Sequence, residues 1–436
     1  MIYSFGQKKY IKLAWSYSVA VVWLILYIHL NITYEPYLGY VSTMLLLIQA
    51  FVLIARAFCK KNTLLFVLFS FIALYTWPAK LFFFNKVFLS AHNQQFTYET
   101  ATLVTLLFSL FLLVVDFFVK IPNPASFKRF EYKNNTMLFY ILYIVSWVLV
   151  FSCRRVGNAY DGSGDEIKVS TLNEYVLILF LTSYIYSSGN KTRQHLLFLL
   201  WAVYIMFTLL AGGRVEVVLL LLLLLIIKYQ YVFSFKKIVL FFICGIWGMS
   251  VFETIRQNPQ MILQGDFAAI VTPFVEKEYI QNSQGSNTGD VYWATERMIL
   301  LINDGDLSIE KRTKAALYYF LSSITPTSYL PPLANLANYK SEIRTTGGGG
   351  LSFGFFYVMF GLGGVVFLGY FFAKMLNKYS CRNSSLSLFY ITLMMMMIPR
   401  WFAYTPIHLV KFCVWGVLFY YWVICVDYTM KKHKLC

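Results

Sequence analysis

The chain has 436 residues, 59% hydrophobic, 19% aromatic and only 13% charged, with mean hydropathy +0.61 and a formal net charge of +17. Soluble domains are about one quarter charged, so this composition excludes an ordinary soluble enzyme or binding module. It excludes a nucleic-acid protein as well, because the basic residues are spread over many short segments instead of forming one basic face.

Apolar runs of about 18 or more residues are long enough to cross a bilayer core of about 30 Å as helices, the form that satisfies backbone groups within the segment. In chain order such runs cover 11–30, 38–57, 63–84, 101–119, 136–153, 173–188, 195–212, 215–232, 236–253, 351–373, 387–400 and 405–426. The predicted fold class is therefore all-α, a polytopic membrane bundle of about twelve transmembrane helices. Three blocks follow: 1–253 with the first nine spans, a polar loop 254–350, and 351–436 with the last three spans and a tail. The loop holds aromatic and apolar pieces such as Val291-Tyr292-Trp293, which predicts short amphipathic helices lying over the bundle.

The basic residues give the orientation. With the N-terminus inside, every cytoplasmic segment is basic, including Lys8, Lys9, Lys12, Arg56, Lys60, Lys61, Lys120, Lys191, Arg193, Lys374, Lys378 and Lys431. The short external connection 31–37 has no Lys or Arg. Both termini are thus expected in the cytoplasm and the long loop outside. No cleavable signal peptide is expected, because the first span lacks a small-residue cleavage site. Of the cysteines only Cys153 is predicted near the external face, so no external disulfide framework is expected, and no CxxC or His cluster suggests a metal.

Arginine and lysine are distributed differently. Arg56, Arg129, Arg193 and Arg382 fall inside, whereas Arg154, Arg155, Arg214, Arg256, Arg297, Arg312, Arg344 and Arg400 do not. Arginine is thus enriched where positive charge is normally disfavoured. Its planar fork suits bidentate binding of phosphate, which points to an external site for an anionic group, a diphosphate at the lipid surface. Single arginines also snorkel or pair locally, as Arg214 can with Glu216. The glycine run that follows Arg344, Gly347–Gly350, offers backbone N–H groups to a phosphate, or a flexible hinge. It lacks the Lys-Ser/Thr ending of a P-loop.

Candidate acid–base groups are His408, just inside the last span, and the loop carboxylates Asp290, Glu296, Asp304 and Asp306. Most loop carboxylates are expected to be solvated, and Asp116 in the fourth span is expected to reach water at its cytoplasmic end.

Gly212-Gly213-Arg214 opening a Leu-rich span, the late external loop, Gly349-Gly350-Leu351-Ser352-Phe353-Gly354 with Phe360-Gly361, and Pro399-Arg400 together resemble the Wzy-type O-antigen and capsule repeat-unit polymerases. The resemblance covers the whole chain in architecture and rests on motifs in 205–230 and 344–412. It implies a bacterial inner-membrane glycosyltransferase that polymerises undecaprenyl-diphosphate-linked oligosaccharide at the periplasmic face. It implies no cofactor and no obligatory metal, with membrane lipid and a chain-length regulator protein as partners. By position Arg214, Arg344 and Arg400 match the arginines that engage the carrier diphosphate, with Arg256 and Arg297 as further candidates. Phe355-Phe356-Tyr357 stands where relatives often carry a Glu. Two alternatives are an O-antigen ligase acting on lipid A core and a lipid-linked oligosaccharide flippase. The loop has no His to favour the ligase, and no two related halves favour the flippase.

Overall fold

The computed structural model describes residues 5–87, 97–121, 131–152, 172–210, 214–229, 287–322, 324–325, 329–330, 349–379 and 385–433. The described residues are mostly helical and contain no strand, only an isolated bridge between Asn134 and Ser187. A helical membrane protein is the result. Six stretches are long and apolar enough to cross a bilayer, by length and composition: Tyr10–Ile32, Pro36–Cys59, Thr63–Asn85, Tyr98–Phe118, Ser352–Lys378 and Ile407–Lys432. The predicted span 236–253 lies outside the described residues, and each other predicted span overlaps a helix.

The described chain divides into two compact units. The first comprises 1–127, 283–382 and 400–411, and includes α1 (Phe5–Ile32), α2 (Pro36–Cys59), α3 (Thr63–Leu74), α4 (Trp77–Asn85) and α5 (Tyr98–Phe118). The second comprises 128–282, 383–399 and 412–436. It includes α6 (Thr136–Ser152), α7 (Leu172–Tyr186), α8 (Lys191–Leu210) and α9 (Arg214–Leu224), which runs into a π-helical turn at Leu225–Tyr229. The first unit resumes with α10 (Asn287–Asn303), α11 (Ile309–Leu321) and α12 (Ser352–Tyr379). Three helices close the chain: α13 (Ser385–Met396), α14 (Ile398–Ala403) and α15 (Ile407–His433).

The third predicted span is interrupted. Asn62 caps α3 by accepting from Leu65 N at 3.0 Å. Pro78 then starts α4, because proline removes a donor and clashes with the preceding turn. A second interruption lies inside α12 at Gly361, whose φ of +64° is readily adopted only by glycine. From α11, Arg312 donates to the Val358 carbonyl through Nε at 2.6 Å and to the Tyr357 carbonyl at 3.4 Å. Those carbonyls lie one turn before the break, where the regular helical ladder fails. Arg312, one of the arginines expected outside from the sequence, therefore serves as a brace.

The core of the first unit is α5. Its residues from Thr100 to Asp116 are buried except Leu103, and it packs against α1, α2, α10 and α12. Polar groups on it are satisfied internally: Ser109 donates to Gln49 at 2.8 Å and the Leu106 carbonyl accepts from Trp23 at 2.7 Å. By contrast, α1 leaves Val21, Leu24, Ile25 and Ile28 exposed, an apolar face that suits lipid.

The two ends of α5 carry opposite chemistry, about 30 Å apart at 1.5 Å per residue. At its C-terminal end Asp116 is buried and ion-paired with Arg56, and accepts a longer hydrogen bond from Ser16 at 3.5 Å. Lys12 donates to the carbonyls of Val119 at 2.8 Å and Phe117 at 3.3 Å. Asp116 thus does not reach water as the sequence suggests. A carboxylate near a helix end finds the Arg56 guanidinium closer than solvent. Removing one partner leaves a buried charge uncompensated, so Arg56→Ala is expected to destabilise the unit by about 3 kcal/mol or more. Thermal unfolding in detergent checks this; an unchanged midpoint would contradict it.

In the second unit α6, α7, α8 and α9 pack together, with α13 against α9. Lys431 pairs with Asp427 at 2.9 Å, Asp427 accepts from Asn135 at 2.8 Å, and Arg193 donates to Thr136 at 2.7 Å and to Ser188 at 3.1 Å.

Candidate active site

At the N-terminal end of α5 the first unit gathers polar groups from segments far apart in sequence. The organiser is α10. The sequence predicts a helix lying over the bundle, but Val291 to Glu296 and Met298 to Leu301 are buried. The difference has a plain cause: both faces of α10 have partners, in α4, α5 and α12. Tyr292 shares a hydrogen bond with Thr105 at 2.8 Å and donates to the Ala101 carbonyl at 3.1 Å, and Trp293 meets Phe82 edge-on at 4.7 Å.

Glu296 is 1% exposed. Its Oε1 accepts from the Thr97 backbone N–H at 3.1 Å, at the residue that caps α5 by accepting from Thr100 N. Burial pushes the Glu296 carboxyl up to about 7, with Asp304 adding to the rise; the Thr97 N–H and Arg297 oppose it. A carboxyl poised near neutrality can take a proton and return it. The sequence expectation that loop carboxylates are solvated fails for Glu296 alone of the four, since Asp304 and Asp306 are exposed and Asp290 is half-exposed.

One residue earlier, Thr295 faces a different neighbour. Its hydroxyl accepts from Leu351 N at 2.7 Å, just before α12 begins. Gly350 N donates to the Tyr404 carbonyl at 3.1 Å, and Ser352 donates to the Trp401 carbonyl. A Cβ on Gly349 would overlap the Tyr404 backbone, and one on Gly350 would overlap Met298. These two glycines therefore serve close packing, not an open phosphate cradle; Gly347 and Gly348 lie outside the described residues. Gly349→Ala is expected to lower the unfolding temperature by several degrees, since backbone must move to admit one methyl. Scanning calorimetry would show this; wild-type stability would refute the packing role.

The same knot holds Arg400 and His408. The Arg400 carbonyl accepts from Tyr404 N and Thr405 N, both at 3.1 Å, and its guanidinium lies 5.5 Å from the Tyr404 ring centroid. His408 sits in the first turn of α15, under the positive charges of Arg400 and Lys411. Tyr319 on α11 donates to the Pro406 carbonyl at 3.2 Å, tying the loop helix to this segment.

Beyond Thr97 an open cleft of about 390 Å³ is lined by Tyr27, Leu30 and Asn31 of α1, by Thr97 itself, by Glu99, Thr100 and Leu103 of α5, by Leu300 and Asn303 of α10, by Asp304, and by Tyr357 of α12. Of these the sequence singled out only Asp304. The others come from four helix ends whose meeting no local pattern announces.

Of the predicted site residues, Glu296, Arg297, Arg400 and His408 all lie in the first unit. Arg297 is half-buried and close enough to act electrostatically on Glu296. Asp290 lies on α10 too, but six residues before Glu296, which puts it on another side of the helix. Arg214 begins α9 in the second unit and its side chain is outside the described set. Arg256 and Arg344 lie outside the described residues. Among the described residues no group of three or more metal-ligating side chains occurs. Comparisons of the chain with protein-family models, with curated proteins and with solved structures find no match.

Proposed function

We propose that the protein is a Wzy-type glycosyltransferase that polymerises undecaprenyl-diphosphate-linked oligosaccharide repeat units at the periplasmic face of the bacterial inner membrane. The observation that carries this reading is the buried Glu296 carboxyl, held near neutrality beside the Thr295 contact that anchors the start of α12. The Arg400 guanidinium lies against the ring of Tyr404, whose carbonyl accepts from Gly350 N.

The chemistry follows from these roles. An acceptor hydroxyl attacks the anomeric carbon of the donor glycan as the bond from that carbon to the diphosphate oxygen breaks. The hydroxyl proton passes to Glu296, and the electron pair leaves with the lipid diphosphate. Negative charge grows on that leaving group, so a fixed guanidinium stabilises the transition state more than the ground state. Arg400 fills that role, with Arg214, Arg344, Arg256 and Arg297 as the further diphosphate candidates. His408 and Asp290 are the alternative acid–base groups. A chain-length regulator is the proposed protein partner, and both termini are proposed to be cytoplasmic.

Gel analysis of surface glycan from a deletion strain tests the reading. Lipid A core capped by single repeats is the expected result. Unsubstituted core with accumulated lipid-linked polymer would identify a ligase instead, and an unchanged ladder would refute both.

A further inference from the structure

The open cleft beside Thr97 has a lining that the diphosphate chemistry does not use. None of its lining residues is basic, and two, Glu99 and Asp304, are acidic. An anionic group placed there would meet like charge. The remaining polar lining is neutral: Asn31 and Asn303 amides, Thr97 and Thr100 hydroxyls, and the Tyr27 and Tyr357 rings with their phenol groups. Amides donate and accept at once, carboxylates accept from two neighbouring hydroxyls, and phenol rings offer an apolar face beside a polar tip. That combination fits a ligand with many hydroxyls on a ring. The volume of about 390 Å³ lies in the range of small-molecule sites, roughly 300–1,000 Å³.

Position connects the cleft to the carboxyl. Leu300 and Asn303 follow Glu296 on α10 at +4 and +7, which is one face of the helix, and Asp304 is the residue directly after its end. Thr97 belongs to both places, lining the cleft while its N–H holds Glu296.

We propose that this cleft seats an uncharged sugar of the acceptor, and that Glu99 and Asp304 exclude acidic sugars from that position. The assignment of the sugar as acceptor rests on the glycosyl-transfer reading above; the preference for neutral over acidic sugars does not.

The test is saturation-transfer difference NMR on the full-length protein in detergent. The probes are galactose, glucose, N-acetylglucosamine and N-acetylgalactosamine, compared with glucuronic acid and N-acetylneuraminic acid at neutral pH. At least one neutral sugar is expected to bind about tenfold more tightly than either acid. In the double variant Glu99→Gln, Asp304→Asn, that discrimination is expected to fall to within about twofold, and Asn303→Ala is expected to weaken neutral-sugar binding several-fold. Equal binding of acidic and neutral sugars to the unaltered protein, absence of neutral-sugar binding, or discrimination that survives the double variant would each overturn the proposal. Glu296→Gln separates the two readings. Sugar selectivity with an intact glycan ladder in Glu296→Gln cells refutes the catalytic role and leaves the cleft standing. Loss of the ladder without sugar binding refutes the cleft alone.

Discussion

Replacing Glu296 by Gln is expected to stop polymer formation while making the protein less sensitive to rising pH. The substitution keeps the shape and the acceptor for Thr97 N–H but removes the titrating proton. Loss of a general base costs about 10²- to 10⁴-fold in rate, enough to erase the long rungs of a glycan ladder. The stability effect has a definite sign. The folded carboxyl titrates at about 7, above its ordinary 4.5, so the folded state holds the proton more tightly than the unfolded chain. Burial of this group costs nothing below about pH 4.5, and the penalty grows as pH rises from there to about 7. Above that it is complete, on the order of 3 kcal/mol. Between pH 5 and 8 the unfolding temperature of the unaltered protein should therefore fall more steeply than that of Glu296→Gln. Parallel curves would show that burial of the carboxyl is not what holds its proton. Activity should run the other way, rising with pH through about 7 as the base is freed.

The second large effect is expected at Arg400. Arg400→Ala should reduce polymer by at least about 100-fold, the usual consequence of deleting one fixed donor to a developing anion. Arg400→Lys keeps a charge but loses the planar fork, so short ladders are expected. The Tyr404 carbonyl that receives Gly350 N is a backbone group and survives either substitution. Insertion and thermal stability should therefore stay close to those of the unaltered protein. Normal ladders in Arg400→Ala would remove Arg400 from the diphosphate site. Collapse of stability together with activity would assign it a structural role.

Much of the helical frame is legible in the sequence because bilayer crossing imposes a local rule. About twenty apolar residues must satisfy their own backbone, wherever their side chains finally pack. The stretches at Tyr10–Ile32, Pro36–Cys59, Tyr98–Phe118 and Ser352–Lys378 follow that rule closely. Pro78 and Gly361 mark breaks by their own backbone chemistry, which again needs no neighbour.

The arrangement around Glu296 obeys no such rule. Nothing in Asn287–Asn303 distinguishes a surface helix from a buried one, because its burial depends on faces supplied by α4, α5 and α12. Arg312 and Asp116 carry the same lesson. As letters they suggest an external ligand and a solvated charge, yet one braces the carbonyls before Gly361 and the other pairs with Arg56 inside the unit.

By itself the sequence determined the class, a helical membrane chain with its basic residues distributed by segment, because hydropathy and charge act residue by residue. Tertiary structure decided which of the described polar-loop carboxylates is buried and which helix ends border the cleft. Burial and electrostatic environment belong to contacts between segments far apart in the chain, such as Thr97 and Glu296, 199 residues apart, and only folding creates them.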